Sequence, residues 1–168
     1  MTIRKLLLIP AIALLGGIAC VYGQEAVKPA ADPEALFTSK DPKLHANKQV
    51  AYKIIKELIE CGHWERADQY ITERYIQHNP LAANGRAAVV DFFTKVLKQK
   101  PTPIPEKMKT KVVSVVAEGD LVTVATALEL KDPKDPSKTY TTTWFDQWRF
   151  KDGKADEHWD PATKNMAM

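Results

Sequence analysis

Apolar positions along this chain follow two different spacings, and the change falls near residue 106. Over residues 43–61, Leu44, Ala51, Ile54, Ile55, Leu58 and Ile59 recur with a helical period. Asp41-Pro42 supplies a cap followed by proline at the first helical position, and Gly62 is a stop signal. Residues 63–71, with Trp64, Ala67, Tyr70 and Ile71, predict a second, short helix. Tyr75-Ile76-Gln77-His78-Asn79-Pro80 reads as extended or looped, because the residue before a proline avoids the helical region. Asn84-Gly85 precedes a third helix with Val89, Val90, Phe93, Val96 and Leu97 on its apolar face, and Pro101, Pro103 and Pro105 end it.

Beyond Glu106 the pattern becomes that of strands. Residues 108–117 are rich in valine, Glu118-Gly119-Asp120 is a turn, and residues 121–130 place Val122, Val124, Leu128 and Leu130 on one face. A polar loop precedes long strands at 139–150 and 154–160, joined by Lys151-Asp152-Gly153-Lys154, a hairpin turn. Helices followed by consecutive strands are an α+β pattern. The expectation is three N-terminal helices packed on a curved antiparallel sheet of four long strands, with a cavity between the two layers.

Length and composition narrow the picture. A chain of 168 residues is long enough for one domain with a core. The formal charge of +3 includes Arg4 and Lys5, and the rest is close to balanced, which argues against a nucleic-acid surface. Lys107, Lys109 and Lys111 alternate, as a solvated strand face would. Arg4-Lys5, an apolar stretch to Val21 and the small residues ending at Gly23 form the three-part pattern of an export signal. Pro10 and Gly16-Gly17 interrupt that stretch, so no stable membrane span is expected after cleavage. The reading is a signal peptide at 1–23, a flexible linker at 24–40, one domain at 41–163 and a tail at 164–168. The protein would be secreted or periplasmic, or, because Ile18-Ala19-Cys20 ends like a lipobox, a lipoprotein anchored through Cys20.

Cys61 is the one cysteine of the mature domain and reads as a buried thiol at a helix end. No Cys/His cluster has zinc spacing, and the chain has no P-loop, no Gly-x-Gly-x-x-Gly and no Gly-x-Ser-x-Gly. Neither a cofactor nor a metal is expected.

The candidate chemistry sits in the last hairpin. On a strand, side chains alternate between faces, so Trp144, Asp146 and Trp148 share one face, and Asp156, His158 and Asp160 share another. Carboxylates and an imidazole beside large rings can move protons. Asp160 can equally cap a turn, Asp146 can form a structural ion pair, and His158 can be a satisfied structural residue. Trp144 and Trp148 line a cavity or fill the core. Arg149, of opposite parity to Asp146, is expected in a salt bridge.

The motifs Gly62-His63-Trp64-Glu65, Tyr75-Ile76-Gln77-His78-Asn79-Pro80, Phe145-Asp146-Gln147-Trp148-Arg149-Phe150 and Glu157-His158-Trp159-Asp160 give the chain its resemblance to the SnoaL-like polyketide cyclase family, within the nuclear transport factor 2-like superfamily. It spans about residues 44 to 162. The resemblance implies a cone-shaped roll with an internal cavity. It also implies that Asp160 is the acid/base of an aldol condensation and that Asp146 stands where the characterised cyclase has a histidine. Asn79, with His78 beside it, falls at a polar position of the cavity. A homodimer formed through the sheet is common in the superfamily.

Two functions follow. One is an exported, cofactor-independent enzyme, a SnoaL-like aldol-condensing lyase or isomerase. It would use Asp160, Asp146 and His158 on a small apolar carbonyl compound held by His78, Asn79, Trp144 and Trp148. The alternative is a non-catalytic exported module that binds a small apolar molecule or a protein partner.

Overall fold

The computed structural model describes residues 25–165. The expected leader, Cys20 included, lies outside them. Among the described residues no helix is long and apolar enough to cross a membrane.

Helix α1 (Pro42–Lys53) starts as the sequence predicts. The Asp41 side chain accepts from the Leu44 amide at 2.9 Å and Pro42 sits in the first turn. The helix continues in the wider π geometry over Ile54–Glu60, and Gly62 ends it with φ +76°. A Cβ there would lie 2.7 Å from the Lys100 carbonyl oxygen, so both the turn and the close approach require glycine. A single 3₁₀ turn at Trp64–Arg66 leads into α2 (Ala67–Tyr70). Helix α3 (Arg86–Asp91) passes into π geometry over Phe92–Val96. That widening turns the apolar face, so Val89 is buried while Val96 and Leu97, predicted to share its face, are exposed.

The sheet contains β1 (Ile71–Gln77), β2 (Val112–Glu118), β3 (Leu121–Lys131), β4 (Thr139–Lys151) and β5 (Lys154–Trp159), in the order β1-β5-β4-β3-β2. It is curved and unclosed. It therefore has five strands rather than four, and it is mixed rather than wholly antiparallel, because β1 pairs in parallel with β5. The missed strand has a physical cause. Its register breaks between Ile71 and Ile76, and its buried residues, Ile71 and Tyr75, are four apart instead of two. The three lysines read as a strand face lie before β2 instead, where the Lys109 and Thr110 amides donate to Glu60.

The predicted hairpin turn is present. Asp152 and Gly153 both have positive φ (50° and 75°), the backbone of a type I′ turn, and Lys151 faces Lys154. The β3–β4 register is unbroken from Leu121↔Arg149 to Lys131↔Thr139.

The segment read as a linker makes contacts with the domain from Val27 onward. The Val27 amide donates to Thr141 Oγ1 and the Ala30 amide to the Val112 carbonyl. A 3₁₀ turn at Glu34–Phe37 then inserts Phe37 fully into the core. Glu34 Oε1 accepts from Lys56, Tyr52 and the Met108 amide, and these hydrogen bonds, the amide's first among them, hold its carboxyl below the usual range. Alanines and prolines alone gave no sign of this, because a single buried aromatic does the anchoring.

The core is formed by Phe37, Ile54, Ile55, Leu58, Trp64, Ile71, Tyr75, Val122, Val124, Trp148 and Phe150, between the helices and the inner face of the sheet. Near β5 the interior expected to be hollow is filled by Trp148 and Tyr75.

Candidate active site

Strand parity and cross-strand register assemble the site. Asp146 on β4 faces inward between Trp144 and Trp148, and His158 on β5 stands directly opposite Trp148. His158 Nε2 lies 3.0 Å from Asp146 Oδ1, and its Nδ1 lies 2.7 Å from Gln77 Oε1 on β1. Both ring nitrogens thus face oxygens. A doubly protonated ring donates to both, and a neutral ring is accommodated when the Gln77 amide turns its nitrogen toward Nδ1. The ring is buried between Trp148 (5.4 Å between centroids) and Tyr75 (6.3 Å). Trp148 Nε1 donates to Tyr75 Oη at 3.0 Å. Burial, with Asp146 and Asp160 nearby, pushes the Tyr75 phenol far above its ordinary value, so it stays neutral.

The two aspartates differ. Asp146 Oδ1 accepts from His158 Nε2 and from Trp144 Nε1 (3.3 Å), and among the described residues nothing donates to its Oδ2. Asp160 has both oxygens engaged: Oδ2 accepts from Asn79 Nδ2 at 2.7 Å, and Oδ1 accepts from the Ala162 amide at 3.0 Å, a turn cap two residues on. The Asp160 side chain is 5 % exposed and that of Asp146 is 16 %. The carboxylates flank the imidazole from opposite nitrogens, Asp146 on Nε2 and Asp160 on Nδ1 at 3.9 Å. Asp146, His158 and Asp160 together offer three donor atoms within 4.8 Å of one another. One imidazole nitrogen and one oxygen from each acid are therefore close enough to exchange a proton or to surround a cation.

Not every candidate joins this group. His78 lies on the outer face, stacked on Trp159 at 4.6 Å and 3.5 Å from Glu157. Its neighbour Asn79 does reach the site, through Asp160. Trp148 is core rather than cavity wall. Trp144 is half-buried and touches Asp146. Arg149 pairs with Asp120 at 3.0 Å, as parity predicts. Tyr75 and Gln77 escaped the sequence reading. Their signal was present, since Tyr75, Gln77 and Asn79 fall at every second position leading to the proline.

Two surface depressions accompany this geometry. One, of about 660 Å³, lies between α2, α3 and β1, with Trp64, Glu73 and Arg86 in its wall. The other, of about 370 Å³, lies on the outer face of the sheet among Phe145, Gln147, Trp159 and Asp160.

The family model of the SnoaL-like domain matches residues 56–158, more than half of the chain. The chain belongs to the SnoaL-like domain family. Its fold is similar to that of a candidate SnoaL-like polyketide cyclase from Jannaschia sp. CCS1, with 18 % identity, TM-score 0.53, and coverage of 74 % of this chain and 91 % of that one. A candidate polyketide cyclase from Acidithiobacillus ferrooxidans gives 18 % identity, TM-score 0.52, and coverage of 73 % and 89 %. A nuclear transport factor 2-like protein of unknown function from Burkholderia pseudomallei gives 12 % identity, TM-score 0.50, and coverage of 70 % and 91 %. At such identities the likeness concerns the fold alone. No curated protein matches the sequence. This SnoaL-like chain carries its imidazole on β5, beside the β4 carboxylate, and not at the β4 position itself.

Proposed function

We propose that this SnoaL-like protein is an exported, cofactor-independent acid–base catalyst acting on an apolar carbonyl compound. The observation that carries the reading is the half-anchored Asp146: one oxygen is fixed by His158 and Trp144, and the other is left for a substrate proton. Asp146 Oδ2 removes a proton from the carbon beside a carbonyl, and the C–H electron pair becomes the enolate. In an isomerisation the proton returns to a different carbon. In an aldol closure the enolate carbon bonds a second carbonyl carbon, and the resulting alkoxide takes the proton back. His158 acts as a positioning residue that holds Asp146 and shares its proton. Asp160, with Asn79, contributes a second negative charge on the far side of the ring and is not the first base.

The test uses deuterium. Candidate carbonyl compounds incubated with the protein in D₂O should gain deuterium at the carbon beside the carbonyl, read by proton NMR. Asp146→Asn should abolish the exchange. Asp160→Asn should retain part of it, and His158→Gln should shift its pH profile. Full exchange by Asp146→Asn would overturn the assignment.

The alternative, a non-catalytic interaction module, is favoured by one feature, the filling of the inner space by Trp148 and Tyr75; capture of a defined protein partner with no deuterium exchange into any carbonyl compound would support it. The outer face, with exposed Phe145 and half-buried Trp159 beside a groove, suits a homodimer, which sedimentation can test. Export predicts a mature protein beginning at Gln24, or a lipid-modified Cys20, distinguishable by mass.

A further inference from the structure

The unbroken β3–β4 register lines up four cross-strand pairs on the inner face: Val124↔Asp146, Thr126↔Trp144, Leu128↔Thr142 and Leu130↔Tyr140. Moving outward from Asp146, the wall goes from buried Val124 and Thr126, through half-buried Trp144, Leu128 and Thr142, to Leu130 and Tyr140, which are 41 % and 39 % exposed. Leu130 and Tyr140 are large apolar side chains directly opposite one another, and leaving such a pair in water is unfavourable. At this end of the two strands the other face is occupied by the chain itself, where the Val27 amide meets Thr141 Oγ1. One side of the arm thus meets the chain's own N-terminal segment, and on the side continuous with Asp146 the end pair Leu130 and Tyr140 is left exposed among the described residues. Trp144 joins the two parts, because its indole nitrogen donates to Asp146 and its ring heads the apolar wall.

We infer that this inner face of the β3–β4 arm is a substrate subsite, and that the substrate is an elongated carbonyl compound whose apolar tail lies from Trp144 over Leu128 to Leu130 and Tyr140. This rests on the reading of Asp146 as the base, which places the carbonyl end. Tyr140 lies six positions from Asp146 along β4, a reach of about 20 Å at the usual strand rise. That length fits a long acyl or alkyl chain and exceeds any small carbonyl compound.

The experiment compares two probes, acetylacetone and its homologue with one methyl replaced by an undecyl chain. Calorimetry should show the long probe binding at least about tenfold more tightly, from the methylenes removed from water. Leu130→Ser with Tyr140→Ser should remove that advantage and leave deuterium exchange into acetylacetone unchanged. Methyl NMR of the wild type provides a second measurement that needs no variant: the Leu128 and Leu130 signals should move with the long probe and stay still with the short one. Equal affinities for the two probes, or methyl shifts confined to residues elsewhere, would overturn the subsite. So would a double variant whose only change is its assembly mass, which would make the patch a contact between copies. An Asp146→Asn variant that still prefers the long probe but also still exchanges deuterium would remove the base and keep the subsite, so the two ideas fail separately.

Discussion

Two histidines, His78 and His158, lie on opposite faces of the same strand pair, each beside an indole and each near a carboxylate. His158 is buried, with oxygens at 2.7 and 3.0 Å on its two nitrogens. His78 is exposed, 3.5 Å from Glu157 and stacked on Trp159. What separates them is enclosure. In a water-poor setting a hydrogen-bonded acid and imidazole hold a fixed geometry, whereas at the surface solvent competes for every contact. Proximity of residue types therefore does not make a site; geometry shielded from water does.

The sharpest way to break the comparison is activity. Asp146→Asn should lower turnover by about a thousandfold, and His78→Gln should leave it within about twofold, since an exposed stacked ring touches no reacting atom. Steady-state rates on a compound found by the exchange assay check this, and an equal loss in both variants would erase the distinction between the faces. Next in size is packing. Trp148→Ala on the inner face should cost about 3–5 kcal/mol, and Trp159→Ala on the outer face about 1 kcal/mol, both measured by urea unfolding.

Smaller effects come from protonation. Asp156 on β5 is buried and bonded to Arg74 and Thr72, and those bonds, Arg74's first, hold its carboxyl below the ordinary 3.8. A lowered value means that its stabilisation is complete above pH 3.8 and is lost as pH falls through the folded-state value. Asp156→Asn should thus weaken the protein at pH 6 and change it less under strong acid. A third imidazole gives the smallest effect. His63 contacts Glu65 at 2.7 Å and the Thr102 carbonyl at 2.8 Å, and these hydrogen bonds raise its value above 6.5. A raised value reverses the sign: the contribution is full below pH 6.5 and fades as pH climbs through the folded-state value. Denaturation midpoints at pH 5.5 and 8.5 should differ more in the wild type than in His63→Gln.

Much of this molecule was legible in its sequence because regular spacing records burial. The Asp41-Pro42 start, the Gly62 stop, the Asp152-Gly153 turn and the inward parity of Asp146, His158 and Asp160 were all readable. Strand β1 was not, because a register break puts its buried residues four apart. The division of labour between the aspartates was hidden as well. It depends on Asn79 and the Ala162 amide reaching Asp160, and on Trp144 reaching Asp146, contacts that parity permits but does not specify. Gln77 was missed although it alternates with Tyr75 and Asn79, because that alternation gains meaning only once the parallel pairing of β1 sets Gln77 beside the imidazole.

The placement of Phe37 has a practical side. Family similarity begins at residue 56, and the first strong helix signal begins at Asp41. A recombinant version trimmed to either point would lose a fully enclosed ring and the Glu34 carboxylate that neutralises the Lys56 ammonium, leaving a hole and an orphan cation behind. A version that begins upstream of residue 34 should therefore unfold at a higher urea concentration than one trimmed to the homology boundary.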